Sequence, residues 1–223
     1  MGRTVYWMNV SIDGFIEAVA GEHVTEGPAW ARIDERLYES FNQQLGDLAL
    51  LVEGRVIYEM MEAAWPQAGD DESLPGYLRE FGRIWTTMPK AIVSRTRTSA
   101  DHNTVVIGGD DVIEQIAAIR ADTEGTIGVG GATLATALLR AGLLDELLLY
   151  VHPAVLGSGR PLFDDLVDPL LCDLIESTDF PNGVALRRYS VRGARSRRVG
   201  VIRAVASQSV EDLTALLTPA GER

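Results

Sequence analysis

Short apolar runs alternate with amphipathic stretches along most of the chain. This pattern predicts layered α/β structure rather than a helical bundle or a β-sandwich. Residues 4–10 are rich in β-branched and aromatic side chains and lead to Asp13-Gly14, a turn signal, so they read as a first strand. Ile33, Leu37, Phe41 and Leu45 stand at helical spacing with Gly46 as a stop, which predicts a helix over 33–45. A buried strand at 48–52 follows, then a helix over 55–65 closed by Pro66, then an acidic, turn-rich surface loop at 67–75.

Further strands are expected at 90–93, 104–107 and 126–129. Asp110 or Asp111 can cap a helix over 112–120, and a helix over 132–140 should stop with Gly142 at its C′ position. Residues 147–156 form a long apolar strand interrupted late by Pro153. Two last strands, 172–177 and 184–191, are joined around Pro181-Asn182-Gly183, a hairpin signal. Strands alternating with helices give a mainly parallel sheet covered on both faces, and the hairpin adds antiparallel strands at one side. In such sheets ligands collect at the carboxyl ends of the strands.

Composition narrows the function classes. A chain of 223 residues fits one large domain, or one domain plus a tail, at about 150 residues per domain. Its 20 basic and 32 acidic residues sum to −12, the wrong sign for wrapping nucleic acid or for an acidic lipid surface. Cys172 is the single cysteine, so no internal disulfide forms, and His23, His102 and His152 lack metal-ligand spacing. No metal is expected. No run is long and apolar enough for a signal peptide or a membrane span, and a cytoplasmic setting is the expectation. From Arg187 to Arg203 there are seven arginines and no acid. That stripe is either a nucleic-acid footprint or the neutralising counterpart of an acidic body. Residues 210–217 could add a short amphipathic helix.

Several candidate sites directly follow predicted strands. In Gly128-Val129-Gly130-Gly131-Ala132-Thr133 a strand gives way to a helix, where glycines allow close approach and free N–H groups favour an anion such as a pyrophosphate. The motif is neither a Walker sequence nor G-x-G-x-x-G, and a tight turn is the alternative. In Glu53-Gly54-Arg55, a cation stands at a helix start, against the dipole, which invites a phosphate; the alternative is a surface pair with Glu59. Ser94-Arg95-Thr96-Arg97 offers two hydroxyls and two arginines for a phosphomonoester, or is a solvated turn. In Asn9-Val10-Ser11-Ile12-Asp13-Gly14, Asp13 is a candidate proton donor or simply an Asp-Gly turn residue. Gly157-Ser158-Gly159-Arg160 could hold an anionic substrate group or be a flexible loop, and His152 reads as a core or interface histidine. The turns at Gly128, Gly54 and Ser94 should all three open on the same edge of one sheet, which suggests a ligand with several phosphates.

The order of these motifs resembles the dihydrofolate reductase-like family that includes the C-terminal reductase domain of bacterial riboflavin-biosynthesis enzymes. The matching pieces are Asn9 to Phe15, Gly54-Arg55-x-x-Tyr58-Glu59, Ser94-Arg95-Thr96, Gly128-Val129-Gly130-Gly131, Leu143-x-Asp145-Glu146-Leu147, and Pro153 with Gly157-Ser158-Gly159-Arg160-Pro161-Leu162-Phe163. The resemblance implies a reductase domain over 1–191, with 192–223 an extension outside the pattern. The implied fold is a mixed, mainly parallel central sheet flanked by helices, with a C-terminal antiparallel hairpin.

The implied cofactor is NADPH. Arg55, Ser94 and Arg95 would surround the 2′-phosphate, Gly130, Gly131, Ala132 and Thr133 would cradle the pyrophosphate, and Gly54, Thr96 and Val129 would belong to the same cofactor site. The nicotinamide would lie near Val10, Ser11 and Asp13, with a pterin- or pyrimidine-like substrate reaching across to Gly157, Ser158, Gly159 and Arg160. Asp13 or an ordered water is the candidate proton donor, and a homodimer paired through the C-terminal strands is the implied assembly. Ile57 stands where the family often has Thr, so a phosphate contact worth about 1.5–3 kcal/mol is missing. The competing reading is a nucleotide-binding or scaffold protein of the same fold without turnover.

Overall fold

The computed structural model describes residues 1–18, 29–166 and 168–192. In chain order the elements are β1 (Arg3–Ser11), β2 (Phe15–Ala18), α1 (Glu35–Gly46), β3 (Leu48–Gly54), α2 (Arg55–Ala68), α3 (Gly76–Thr87), β4 (Lys90–Val93) and β5 (Thr104–Ile107). Then follow α4 (Val112–Asp122), β6 (Thr126–Gly130), α5 (Ala132–Arg140), β7 (Glu146–His152), β8 (Gly159–Pro161), β9 (Cys172–Asp179) and β10 (Ala185–Val191). Eight strands form one sheet in the order β5-β4-β3-β6-β1-β7-β10-β9, parallel except for β10 and β9, while β2 and β8 pair antiparallel beside it. This is the expected mixed, mainly parallel α/β sheet with its closing hairpin.

Alternation along β1 sets the two layers. Tyr6 and Val10 enter one core with Leu134, Leu138 and Ile116, so α4 and α5 cover that face. Val5 and Trp7 pack on the other with Leu37, Phe41, Tyr58 and Trp85, so α1, α2 and α3 cover the opposite face. Asp34 accepts from the Leu37 N–H at 3.0 Å, so α1 begins after it and Ile33 falls outside the helix. At α5 the predicted stop holds: Gly142 has φ +67°, and the N–H groups of Gly142 and Leu143 return to the carbonyls of Leu139 and Leu138.

Four expectations are corrected. Pro66 does not end α2, which continues to Ala68; the proline removes one i→i−4 bond, and packing of this last turn against α3 at Gly82 offsets that loss. Part of the predicted loop 67–75 is thus helical, and α3 follows it, carrying Phe81 and Trp85 into the core. The backbones of α2 and α3 meet at Gly82, where a Cβ would lie 2.7 Å from the Trp65 carbonyl. The strand predicted to reach residue 156 stops at His152, because Pro153 cannot donate to a ladder. Asp111 occupies the N-cap of α4 without a side-chain capping bond.

The predicted helix at 210–217, and the arginines beyond Arg192, lie outside the described residues. Within them, Arg187 pairs with Asp179, Arg188 with Glu146 and Glu176, and Arg192 with Asp173. That part of the basic stripe neutralises the protein's own acids. Among the described residues no helix is long and apolar enough to cross a membrane.

The β2–β8 ribbon went unforeseen and depends on Gly159, which has φ +146° and would place a Cβ 1.9 Å from the Glu17 carbonyl oxygen. Replacing it should cost about 1–3 kcal/mol or more. In a thermal melt Gly159→Ala is therefore expected to lower the midpoint by several degrees. Gly46→Ala, with nothing within 4 Å of the new methyl, is expected to leave it unchanged or raise it.

Candidate active site

The strand register brings the candidate turns to one rim. Glu53 pairs with Gly130, Gly54 with Val93, and Val93 with Ile107, so β3, β4, β5 and β6 end at the same level. Two helices start there. Gly54 is the N-cap of α2 and Gly131 the N-cap of α5, and neither helix has a side-chain cap. A Cβ at Gly131, where φ is +100°, would sit 3.9 Å from the Gly54 nitrogen and 3.7 Å from Ile57 Cγ2. First-turn N–H groups of two helices, without a side-chain cap among the described residues, therefore converge on one spot, an arrangement that favours an anion.

The candidate side chains around that spot differ in their commitments. Val10, Val129 and Ala132 are buried, so only their backbone is available. Arg55 bonds Glu59 at 2.8 Å, the surface pair considered from the sequence, with both groups more than a third exposed. The Ser94 hydroxyl accepts from the N–H groups of Thr96 and Arg97, closing the turn after β4, while Arg95 and Thr96 are exposed. Arg97 is held away from the rim by Glu62 at 2.6 and 3.1 Å and lies over the Tyr58 ring, so it leaves the phosphate pocket drawn from sequence. Thr133 donates its hydroxyl to Asp164 at 2.9 Å and accepts from Arg160 at 2.6 Å, so its side chain faces the β8 segment.

At the end of β1 the geometry is that of a fastened turn. The Asp13 carboxylate accepts from Ser11 Oγ at 2.6 Å, from the Gly157 N–H at 2.7 Å and from the Leu156 N–H at 3.1 Å. These donors, the Ser11 hydroxyl foremost, hold its pKa down at about 2. A carboxyl so held is ionised at neutral pH, and its bonds fasten the turn after β1 to the chain that follows β7. Ser11 is likewise occupied, since its hydroxyl also accepts from the Phe15 N–H.

Across from it, Gly157 and Ser158 are exposed, and Gly159 and Arg160 belong to β8 rather than to a flexible loop. Arg160 bonds Asp164 at 2.9 Å, so its charge is already partnered.

From sequence Glu53 and Asn9 carried no role of their own, whereas His152, expected as a core or interface histidine, is a core residue. Glu53 is buried beneath the junction, with its Oε2 unpartnered among the described residues, and a Cβ on Gly130 would meet its Cγ at 3.2 Å. Burial raises its pKa to about 8, and Lys90, itself buried and lowered to about 8, opposes that only in part. A lone acid closing an apolar strand was the available signal. His152 is fully buried, and bonds Asn9, a pairing over 143 positions that no local pattern announces. Among the described residues no group of three or more His, Cys, Asp or Glu is placed to hold a metal.

Comparison with known proteins agrees with this architecture. Residues 4–186 match the model of the RibD C-terminal domain. An uncharacterized protein of Bacillus subtilis (strain 168), YyaP, is 28% identical over 192 residues, covering 86% of this chain and 96% of its own. Among solved structures, a putative riboflavin biosynthesis protein from Shewanella sp. PV-4 superposes with TM-score 0.63 at 19% identity, over 85% of this chain and 99% of that one. Dihydrofolate reductase from Enterococcus faecalis, solved with NADP(H), gives 0.56 at 15% identity over 86% and 97%. At these identities the two structures establish the fold, which is dihydrofolate reductase-like.

Glu53 sets a pH dependence. Its folded pKa of about 8 lies above the ordinary 4.5, so its contribution is full below pH 4.5 and is lost as pH rises towards 8. His152, lowered from 6.5 to about 4, acts in the opposite sense at lower pH and has saturated above 6.5. Thermal midpoints measured between pH 6.5 and 8 are expected to fall for the native protein. They should fall less for Glu53→Gln.

Proposed function

Since the chain belongs to the RibD C-terminal domain family, we propose that it is an NADPH-dependent reductase of the cytoplasm acting on a small pterin- or pyrimidine-like heterocycle. The observation that carries this reading is the meeting of two uncapped helix starts at Gly54 and Gly131, where backbone N–H groups fit a pyrophosphate. Gly130, Gly131, Ala132 and Thr133 would hold it through their backbone. Arg55, Ser94, Arg95 and Thr96 would take the 2′-phosphate. For Arg55 this means exchanging Glu59 for a phosphate, and an exposed i,i+4 pair is worth only about 0.3–0.5 kcal/mol. The bound cofactor supplies the hydride; the chain supplies position and electrostatics.

Val10 would meet the nicotinamide with its backbone. Ser11 and Asp13 fix the bend that brings Gly157, Ser158, Gly159 and Arg160 opposite it. Asp13 then positions this loop, and the proton needed beside the reduced carbon comes from water. A second reading, a nucleotide-binding module without turnover, is favoured by that same ionised Asp13. NADPH oxidation in the presence of reducible pterins and pyrimidines separates the two.

The assembly we propose is a homodimer formed through β9. This edge strand has Leu174 and Ile175 more than half exposed, with Leu171 just before it, and it offers an unpaired ladder. Leu174→Lys is expected to shift the protein from dimer to monomer in light scattering coupled to gel filtration. A native protein that runs as a monomer refutes the assembly.

Thermal-shift titrations with NADPH and NADH test the cofactor. At a hundred times its dissociation constant NADPH should stabilise the fold by about 2.7 kcal/mol, and more than NADH at equal concentration. Arg55→Ala is expected to erase the difference without lowering the unliganded midpoint by more than a degree or two. Equal shifts with both coenzymes would remove the role given to Arg55.

A further inference from the structure

His152 ends β7, fully buried, and two hydrogen bonds fix its protonation. The Arg32 backbone N–H donates to Nδ1 at 3.0 Å, so that nitrogen carries no proton. Burial keeps the imidazole neutral at pH 7, and the remaining proton therefore sits on Nε2. Nε2 lies 2.9 Å from Asn9 Oδ1 and donates to it. The Asn9 amide is thus oriented: its oxygen faces His152 and its NH2 faces away. Among the described residues that NH2 has no hydrogen-bond partner.

Asn9 stands where the sheet opens. β1 pairs with β7 as far as Ser11 and His152, but its register with β6 runs only to Tyr6 and Val129. Beyond Gly130 the chain turns into α5, so the end of β1 has a strand on one side and the glycine junction on the other. Asn9 is half-buried and shares the β1 face of Trp7, towards α1. Trp30 stands edge-on to His152 at 5.5 Å, with its indole N–H buried and unpartnered among the described residues.

We infer that Asn9 Nδ2 is the donor that reads a ring carbonyl oxygen of the bound heterocycle, and that His152 is a positioning residue holding the amide in that sense. This rests on the reductase reading above and narrows its substrate to a carbonyl-bearing, lactam-type ring. A free asparagine amide can flip and present either oxygen or nitrogen, so it discriminates poorly. Pinned by His152, it offers N–H only. An amino substituent at the same ring position sets donor against donor and leaves both unpaired, which weakens binding about ten- to a hundredfold.

Fluorescence titrations with 2-amino-4-oxopteridine and 2,4-diaminopteridine, in saturating NADPH, test this directly. The native protein should bind the 4-oxo ring at least tenfold more tightly. Asn9→Asp, which presents an acceptor, should reverse the order. His152→Phe should bring the ratio towards one. Because that last change also strands the Arg32 N–H, a second measurement on the native protein stands beside it: nitrogen-15 NMR should show Nε2 of His152 protonated and Nδ1 bare.

A protonated Nδ1, a native protein that binds neither ring or prefers the diamino ring, or an unchanged ratio in Asn9→Asp overturns the assignment. The NADPH thermal shift separates the failures. If it is retained, the assignment alone has failed; if it is absent, the reductase reading falls with it.

Discussion

At the carboxyl edge of the sheet, two helix starts without side-chain caps meet across glycine backbone. Each α-helix leaves its first N–H groups unpaired, and in most proteins a serine, threonine or aspartate beside them answers part of that need. Here Gly54 and Gly131 stand in those positions and supply nothing. A Cβ on Gly130 or Gly131 would reach Glu53, Ile57 or the Gly54 peptide, so side chains are kept out where the N–H groups converge. The parallel register of β3 with β6 brings the two starts together, and every function assigned to the rim depends on that register.

Around this electropositive spot the other charged groups are already disciplined. Arg97 is locked to Glu62, Arg160 to Asp164, and Asp13 to the Gly157 peptide and Ser11. These bonds shape the walls. Arg55 differs, because its partner Glu59 is exposed and the pair is weak enough for a phosphate to replace it. Glu53 lies beneath the rim with one oxygen unpartnered among the described residues, and burial favours its protonated form, which ties its titration to stability. The contact of Asn9 with His152 takes its orientation from a buried hydrogen-bond chain rather than from a charge pair.

Much of this fold was legible because it rests on local rules. Apolar runs bounded by turns marked β4 and β5, helical spacing marked α1 and α4, and Gly142 marked the end of α5, since each signal acts over only a few residues. α3 was missed because its helix begins directly behind an acidic turn, with Pro75 and Gly76 at its start and Gly82 inside it. That last glycine answers to the approach of α2, a tertiary demand. The β2–β8 ribbon was missed for a similar reason: Phe15 and Pro161 are neighbours only after the chain has folded.

The site divides in the same way. By itself the sequence determined that glycine- and arginine-bearing turns follow successive strands, and parallel strands must release such turns on one edge. It also determined the family, through motifs whose order survives at low identity. Only the tertiary structure decided how each side chain is spent: that Thr133 serves Asp164, that Asp13 is an ionised fastener, that Glu53 is buried, and that His152 sets the amide of Asn9. Hydrogen bonds and desolvation depend on distances of a few ångströms between residues as much as 156 positions apart, and no local pattern encodes those distances.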